Sequence, residues 1–203
     1  MLEKLRGRAK TLSPCENRLQ AQARWPQAAV LLAMTDDPIN PEIILTQRAQ
    51  HLSTHSGEVS FPGGKLDEED SSLRETALRE SWEEIGLDPM SVEVLGQLPS
   101  VLTRWKIEVT TIVGIVPANA PLTANLGEID SIFKVPVKYF LADQRVRTDR
   151  FQRGHVDFWA PVYHYEGYEI WGFTAGILVN FVNQIYDAGI EADSSDAPVK
   201  IFS

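Results

Sequence analysis

Residues 61–87, FPGGKLDEEDSSLRETALRESWEEIGL, constrain this chain more than any other stretch. Two glycines lead into an acidic turn, and the turn leads into a helix whose start and stop are both written in residues. Ser72 followed three residues later by Glu75 makes a capping box. Gly86 suits the left-handed position just past the last turn, so the spacing predicts a helix over 72–86. At about 100° per residue, Glu80, Glu83 and Glu84 fall within roughly a 100° arc. Leu78, Trp82 and Ile85 fall opposite. The helix is therefore expected to bury an apolar face, Trp82 included, and to aim its carboxylates away from it.

Such an arc can simply be a solvated acidic face, but the local pairing favours a second reading. Arg79 lies four residues after Glu75 and four before Glu83, within reach of both. Glu80 and Glu84 have no cation three or four residues away. Like charges at that spacing cost about 0.2–0.5 kcal/mol per pair and oppose the helix dipole near its C-terminal end. A divalent cation reverses the sign. Hard oxygen ligands converging on one side suit Mg²⁺ or Mn²⁺, which bridge carboxylates to substrate phosphates. Pro62-Gly63-Gly64, read as a turn, lets backbone approach a ligand without side-chain obstruction.

The rest of the chain supplies the frame. AAVLLAM (28–34) and EIILTQR (42–48) flank the turn-forming TDDPINP and read as a hairpin. EVSF (58–61) is a short strand. Further strands are expected at 92–98, 109–117 and 132–137, and a hairpin at 155–165 and 168–170. Residues 172–186 carry apolar side chains at helical spacing and read as a mostly buried helix. Strands, helix, strands, helix point to one α/β domain with a mixed sheet covered by helices. Residues 1–27 read as a helical lead-in, 28–190 as the main domain, and 191–203 as a loosely held acidic tail.

Bulk properties narrow the function. Net charge is −9 and the pI is about 4.9, which disfavours nucleic-acid polymers as partners. No apolar run approaches the roughly 18–20 residues needed to span a bilayer, so no membrane partner is expected. The first residues lack an apolar signal core and the last three are no retention or peroxisomal address, so a cytoplasmic location is expected. Cys15 is the single cysteine. It excludes an internal disulfide and a cysteine-based zinc site, and its Pro-flanked polar setting is a poor one for a nucleophile.

The stretch GGKLDEEDSSLRETALRESWEEIGL resembles the Nudix box. In that pattern a glycine is followed at set spacing by Arg-Glu, two residues, Glu-Glu, one residue, Gly and an aliphatic. Arg79, Glu80, Glu83, Glu84, Gly86 and Leu87 fill its second half, and Asp70 sits six residues after Gly64. The Asp70-to-Arg79 gap is one residue longer than in the common box and is similar to the coenzyme A pyrophosphatase branch. ILTQRAQHLSTHSGEVSFPGG resembles that branch's second motif through Ile44, Leu45, Thr46, Arg48, Gly57 and Phe61 to Gly64. Ser53 stands where the motif has arginine. IWGFTAGILVNF resembles the branch's closing helix.

The resemblance implies an α/β/α Nudix fold and metal-dependent hydrolysis of a nucleoside-linked pyrophosphate. With coenzyme A the products would be 4′-phosphopantetheine and adenosine 3′,5′-bisphosphate. Glu80 and Glu84 would be the principal Mg²⁺ or Mn²⁺ ligands, and Glu83 a further ligand or the base. Backbone carbonyls near Gly63 or Gly64 would complete the site, and Arg79 would hold a glutamate in place. Arg48, Gly63 and Phe61 stand on the substrate side. Glu128 reads as a further ligand or base, or as a solvated loop acid. Trp105 and Tyr168 read as adenine-stacking or buried rings, His51 and His55 as loop-shaping, and His155 and His164 as structural. The family also implies a homodimer. Ser53 keeps ADP-ribose or a dinucleotide open as substrate, and a non-catalytic nucleotide sensor is the remaining alternative.

Overall fold

Strand β1 (Gln27–Thr35) divides its side chains between two cores. Ala29, Leu31 and Ala33 join a cluster with Ala77, Ile85 and Leu87. Leu32 and Met34 face the other way, into a cluster with Leu5, Phe140, Leu178 and Phe181. That period-two alternation with both faces apolar is what a central strand between two helical layers requires. The computed structural model describes residues 1–15, 23–52, 54–153 and 156–202.

β1 runs parallel to β7 (Glu108–Val116), from Gln27 opposite Glu108 to Thr35 opposite Val116. β2 (Glu42–Arg48) returns antiparallel to β1 at Met34 and Ile43, as the hairpin reading predicts. Asp37 Oδ1 accepts the Ile39 and Asn40 N–H groups at 2.8 and 2.9 Å, which fixes the connecting turn. β2 then leaves β1 to pair with β8 (Ile129–Pro136) and β3 (Val59–Ser60). The vacated first half of β1 is taken by β4 (Gly63–Lys65), with Val30 opposite Gly63 and Ala29 opposite Gly64. The Pro-Gly-Gly segment expected as a turn is thus a strand inserted where the sheet forks. β5 (Glu93–Gln97) and β6 (Val101–Leu102) pair antiparallel to β7 and complete the mixed sheet.

Helix α2 (Leu73–Ile85) covers one face of this sheet. Helices α1 (Leu2–Arg8) and α4 (Gly172–Tyr186) belong to the core on the other. Each fully buried Leu, Ile or Phe there contributes about 1.5–3 kcal/mol. Leu2, Leu5 and Leu12 sit in that same core, and Lys4 and Arg8 reach Asp187 at the end of α4. The segment expected as 132–137 begins at Ile129, and Val137–Leu141 turns into helix α3.

A second sheet orders β11 (Tyr168–Ile170), β10 (Val156–Tyr165), β9 (Arg145–Arg153) and β12 (Val199–Phe202). β9 was not expected, because RVRTDRFQR has no apolar alternation; its polar side chains are held by pairs such as Arg147 with Asp149 at 2.6 Å. The tail expected to be loosely held supplies β12, parallel to β9, with Phe202 stacked on Phe151 at 4.9 Å.

Candidate active site

Helix α2 begins and ends largely as its residues specify. Ser72 Oγ accepts the Glu75 N–H at 3.2 Å. The reciprocal half of the capping box is shifted by one residue: Glu75 Oε2 accepts the Ser71 N–H at 2.8 Å. Gly86 caps the last turn at φ 66°, its N–H donating to Trp82 O. The loop before β8 docks on this end. Thr123 N–H donates to Ile85 O at 2.8 Å and Asn125 N–H to Glu84 O at 2.9 Å, which satisfies carbonyls the helix leaves unpaired.

The face of α2 packed on the sheet is only partly the one the helical wheel suggests, with Ile85 buried and Leu78 packed against the same cluster. Its buried residues are Thr76, Ala77, Ser81, Glu84 and Ile85, whereas Trp82 is 55% exposed. Trp82 is therefore not core, and Glu84 does not point away from the core. Small side chains at 76, 77 and 81 bring the helix close to the glycine strand, and an indole would not fit between them. Glu84, 2% exposed, accepts the Gly63 N–H on Oε2 at 3.0 Å and meets Arg48 Nη1 across 3.5 Å. Burial pushes its carboxyl up to about 7, against the opposing pull of the Gly63 N–H and Arg48 and with help from Glu80 and Glu128. Glu80 lies flat on Gly64, where a Cβ would overlap its carboxylate. Its carboxyl is also raised, by burial first and then by Glu83 and Glu128, with Arg79 opposing. Glu83 leaves the pair and turns to Arg79 Nη1 at 3.1 Å, half exposed.

Arg79 organises the approach. Its Nε and Nη2 grip the two oxygens of buried Asp70 at 3.0 and 2.9 Å, and Nη2 also donates to Lys65 O at 3.2 Å. Nη1 reaches Glu80 as well as Glu83, both at 3.1 Å. Burial works to raise the Asp70 carboxyl, but Arg79, the Asp67 N–H and the Thr76 hydroxyl together outweigh it and hold it below the usual range. The sequence places Asp70 in the box; its function as the anchor of Arg79, with Thr76 donating at 2.9 Å, emerges only from the fold. Glu75, the other glutamate four residues from Arg79, makes no ion pair with it among the described residues.

Of the remaining candidates, Arg48 borders Glu84, and its buried Nε has no hydrogen-bond partner among the described residues. Glu128 joins through its backbone, its carbonyl accepting the Ala49 N–H at 2.8 Å. Its charge acts on both Glu80 and Glu84. The Gly63 N–H is committed to Glu84. Phe61, 3% exposed, lies in the core with Val59, so its side chain does not reach the cleft; this corrects its placement on the substrate side. Tyr168 is stacked on Phe133 at 3.8 Å, whereas Trp105 is exposed beside His55. His164 meets Glu169. Ser53 and His155 lie outside the described residues.

Among the described residues, no three His, Cys, Asp or Glu side chains converge as a ready metal cage. The donor set nevertheless fits a hard cation. Two carboxylates with raised pKa stand against a strand whose glycines leave no Cβ between them and the backbone. A small divalent ion takes one or two carboxylates and completes its shell with water and phosphate. Fold and site together define a class, in which a helix-borne carboxylate group on a forked mixed sheet supports divalent-cation phosphate chemistry.

The NUDIX domain family matches residues 25–150. The chain is 42% identical over 161 residues to NudL, an uncharacterized Nudix hydrolase of Salmonella paratyphi B, covering 78% of this chain and 82% of that one. The Salmonella newport NudL gives the same figures. This chain belongs to the Nudix family and is a Nudix pyrophosphohydrolase. The solved MutT/nudix family protein of Enterococcus faecalis shares the fold, with a TM-score of 0.51 and 17% identity over 84% of this chain and 65% of that chain. Among the described residues no helix is long and apolar enough to cross a membrane.

Proposed function

We propose that the protein hydrolyses the pyrophosphate bond of coenzyme A or its derivatives with Mg²⁺ or Mn²⁺, releasing 4′-phosphopantetheine and adenosine 3′,5′-bisphosphate. The single observation that carries the chemistry is Glu84. A buried carboxylate beside Glu80 and Glu128, whose nearest cation among the described residues is Arg48 at 3.5 Å, is an anion that a bound cation would stabilise. The substrate class rests on the 44–64 motif and on the longer spacing from Asp70 to Arg79.

Glu80 and Glu84 would hold the metal with the Gly64 carbonyl, and Glu83 is the further ligand within reach of the same turn. The bound cation supplies Lewis-acid polarisation of phosphate oxygens and makes bound water more acidic. The chain's own groups do the rest. The Gly63 N–H fixes the orientation of Glu84, and Arg79 fixes Glu80 and Glu83 from Asp70. Arg48, partly exposed beside Glu84, would bring a guanidinium to a phosphate oxygen. Glu128 would accept the proton of the attacking water; Glu83, drawn off by Arg79, is the weaker candidate. The water oxygen forms the new bond to phosphorus as the bond to the bridging oxygen breaks, and that oxygen leaves on the departing phosphate.

Product analysis with coenzyme A and Mg²⁺ or Mn²⁺, beside Glu84→Gln, tests the reading. Metal-dependent release of adenosine 3′,5′-bisphosphate, lost in the variant, supports it. A second reading, another nucleoside diphosphate such as ADP-ribose, is favoured by Ser53 in place of the motif's arginine. ADP-ribose turning over faster than coenzyme A would decide for it. A cytoplasmic homodimer with residues 28–190 as the catalytic unit completes the proposal, and light scattering of the purified protein checks the dimer.

A further inference from the structure

Near the start of β1 and β7, Arg24, Trp25, His55, Arg104, Trp105 and Lys106 form a patch of rings and cations. The turn that carries the last three is closed by hydrogen bonds. Thr103 N–H donates to Ile107 O and Lys106 N–H to Thr103 O, both at 2.9 Å, while Thr103 Oγ1 accepts the Ile107 N–H at 3.1 Å. Lys106 takes the left-handed conformation at φ 60° to close it. Trp105 is held at the tip, 52% exposed. The Arg104 guanidinium lies 4.0 Å from the centre of its ring, and the His55 imidazole meets it at 4.7 Å and 80°. His55 is in turn fixed to the Glu58 carboxylate at 2.7 Å. Lys106 and Arg24 lie over Trp25 at 5.1 and 5.0 Å.

The charge pattern is unusual for this chain. With a net charge of −9, three cations are gathered on two indoles. Among the described residues, none of the three has a carboxylate within ion-pairing distance. Backbone hydrogen bonds tie the patch to the strands that carry the site. His55 lies in the loop that follows β2, which is closed by Arg48 N–H to Glu58 O at 3.0 Å. On the other flank Gln27 O accepts the N–H of Leu66, just past the glycine strand, at 3.0 Å.

We propose that Trp105 is the stacking platform for the substrate's nucleobase, and that Arg104 and Lys106 bind a phosphate carried on the ribose, apart from the pyrophosphate. This deepens the function proposed above and rests on it for the identity of the substrate. An exposed indole on a fixed turn offers a base a π-surface at little entropic cost. A guanidinium held by a ring rather than by a carboxylate is available to a phosphate, which it binds through two parallel N–H bonds.

The test uses the full chain, Trp105→Ala, Trp105→Phe and the Arg104→Ala/Lys106→Ala double variant. Adenosine 3′,5′-bisphosphate and adenosine 5′-monophosphate are titrated calorimetrically without metal. Trp105→Ala should weaken both by about 5- to 100-fold, with Trp105→Phe recovering most of the loss. The double variant should erase the preference for the bisphosphate. In turnover, both changes should raise KM for coenzyme A and leave kcat within about twofold, and the double variant should leave KM for coenzyme A lacking its ribose phosphate unaltered. Unchanged binding and KM in the variants, with coenzyme A still cleaved, overturns this inference and leaves the function standing. Binding that depends on these residues in a protein that does not cleave coenzyme A overturns the function and keeps the nucleotide platform.

Discussion

Replacing Gly64 by alanine should separate catalysis from stability. A Cβ there would overlap all three atoms of the Glu80 carboxylate, inside the 3.0 Å that real Cβ atoms essentially never breach, whereas ordinary contact begins at 3.4 Å. The carboxylate must withdraw by about 1 Å, and a displacement of that size in a catalytic group costs about 100-fold in rate. What moves is the end of a flexible side chain, so the fold should lose less than about 1 kcal/mol. Gly63 is the internal control. A Cβ there would stand 2.6 Å from the Val30 Cα at φ 152°, against backbone that cannot yield. Gly63→Ala should cost about 1–3 kcal/mol or more, lowering Tm by roughly 2–4 °C per kcal/mol. The assay is kcat across a Mn²⁺ titration, with urea melts of both variants. A Gly64→Ala enzyme with wild-type kcat and metal midpoint would refute the placement of Glu80 as a metal ligand.

Three further outcomes follow from the same geometry. The Glu84 carboxyl is raised from 4.5 to about 7, so the metal-free fold holds a proton that the unfolded chain releases. Stability from this group is full at low pH and falls as pH rises from about 4.5 to 7, by roughly 3 kcal/mol. Urea melts at pH 5 and 8 should show that slope in the wild type and lose it in Glu84→Gln; parallel curves would refute it. Arg79→Met strands the buried Asp70 carboxylate and should cost about 3 kcal/mol. Because Asp70 titrates low in the native protein, its contribution is present above the ordinary aspartate range and lost on acidification, so the variant's stability should fall less steeply below about pH 4. Trp82→Ala should change stability by less than about 1 kcal/mol in the same melts, because the ring is largely in water.

Helix α2 was readable because its ends are local chemistry: Ser72 and Gly86 act within one turn. β1 and β7 were readable because continuous apolar runs leave a strand few places other than the middle of a sheet. β9 and β12 were not, since β9 is polar and the residues that hold its surroundings, Arg150 with Asp193 and Phe151 with Phe202, lie far apart in the chain. The site shows the same division. The spacing of Glu80, Glu83 and Glu84 identified the carboxylates, but a helical wheel gives angles between side chains and not the face that packs. That choice was made by Thr76, Ala77 and Ser81, whose small size admits the glycine strand and turns Trp82 outward. Ranking faces by steric bulk as well as hydrophobicity would have found the burial of Glu84.

The loop that docks on the end of α2 sets a limit on how this enzyme can vary. Thr123 and Asn125 bind the carbonyls of Ile85 and Glu84, and Glu128 follows three residues later with its own carbonyl tied to Ala49. The segment is exposed over much of its length and has the outward look of a place that tolerates insertions. Its residue count, however, fixes the spacing between Glu84 and Glu128, the two acids proposed to act on one phosphate. A single added residue between 125 and 128 would change the reach from the helix to the proposed proton acceptor. The length of this surface loop should therefore be held more strictly than its composition, and grafts or tags that other loops accept would silence the enzyme here without unfolding it.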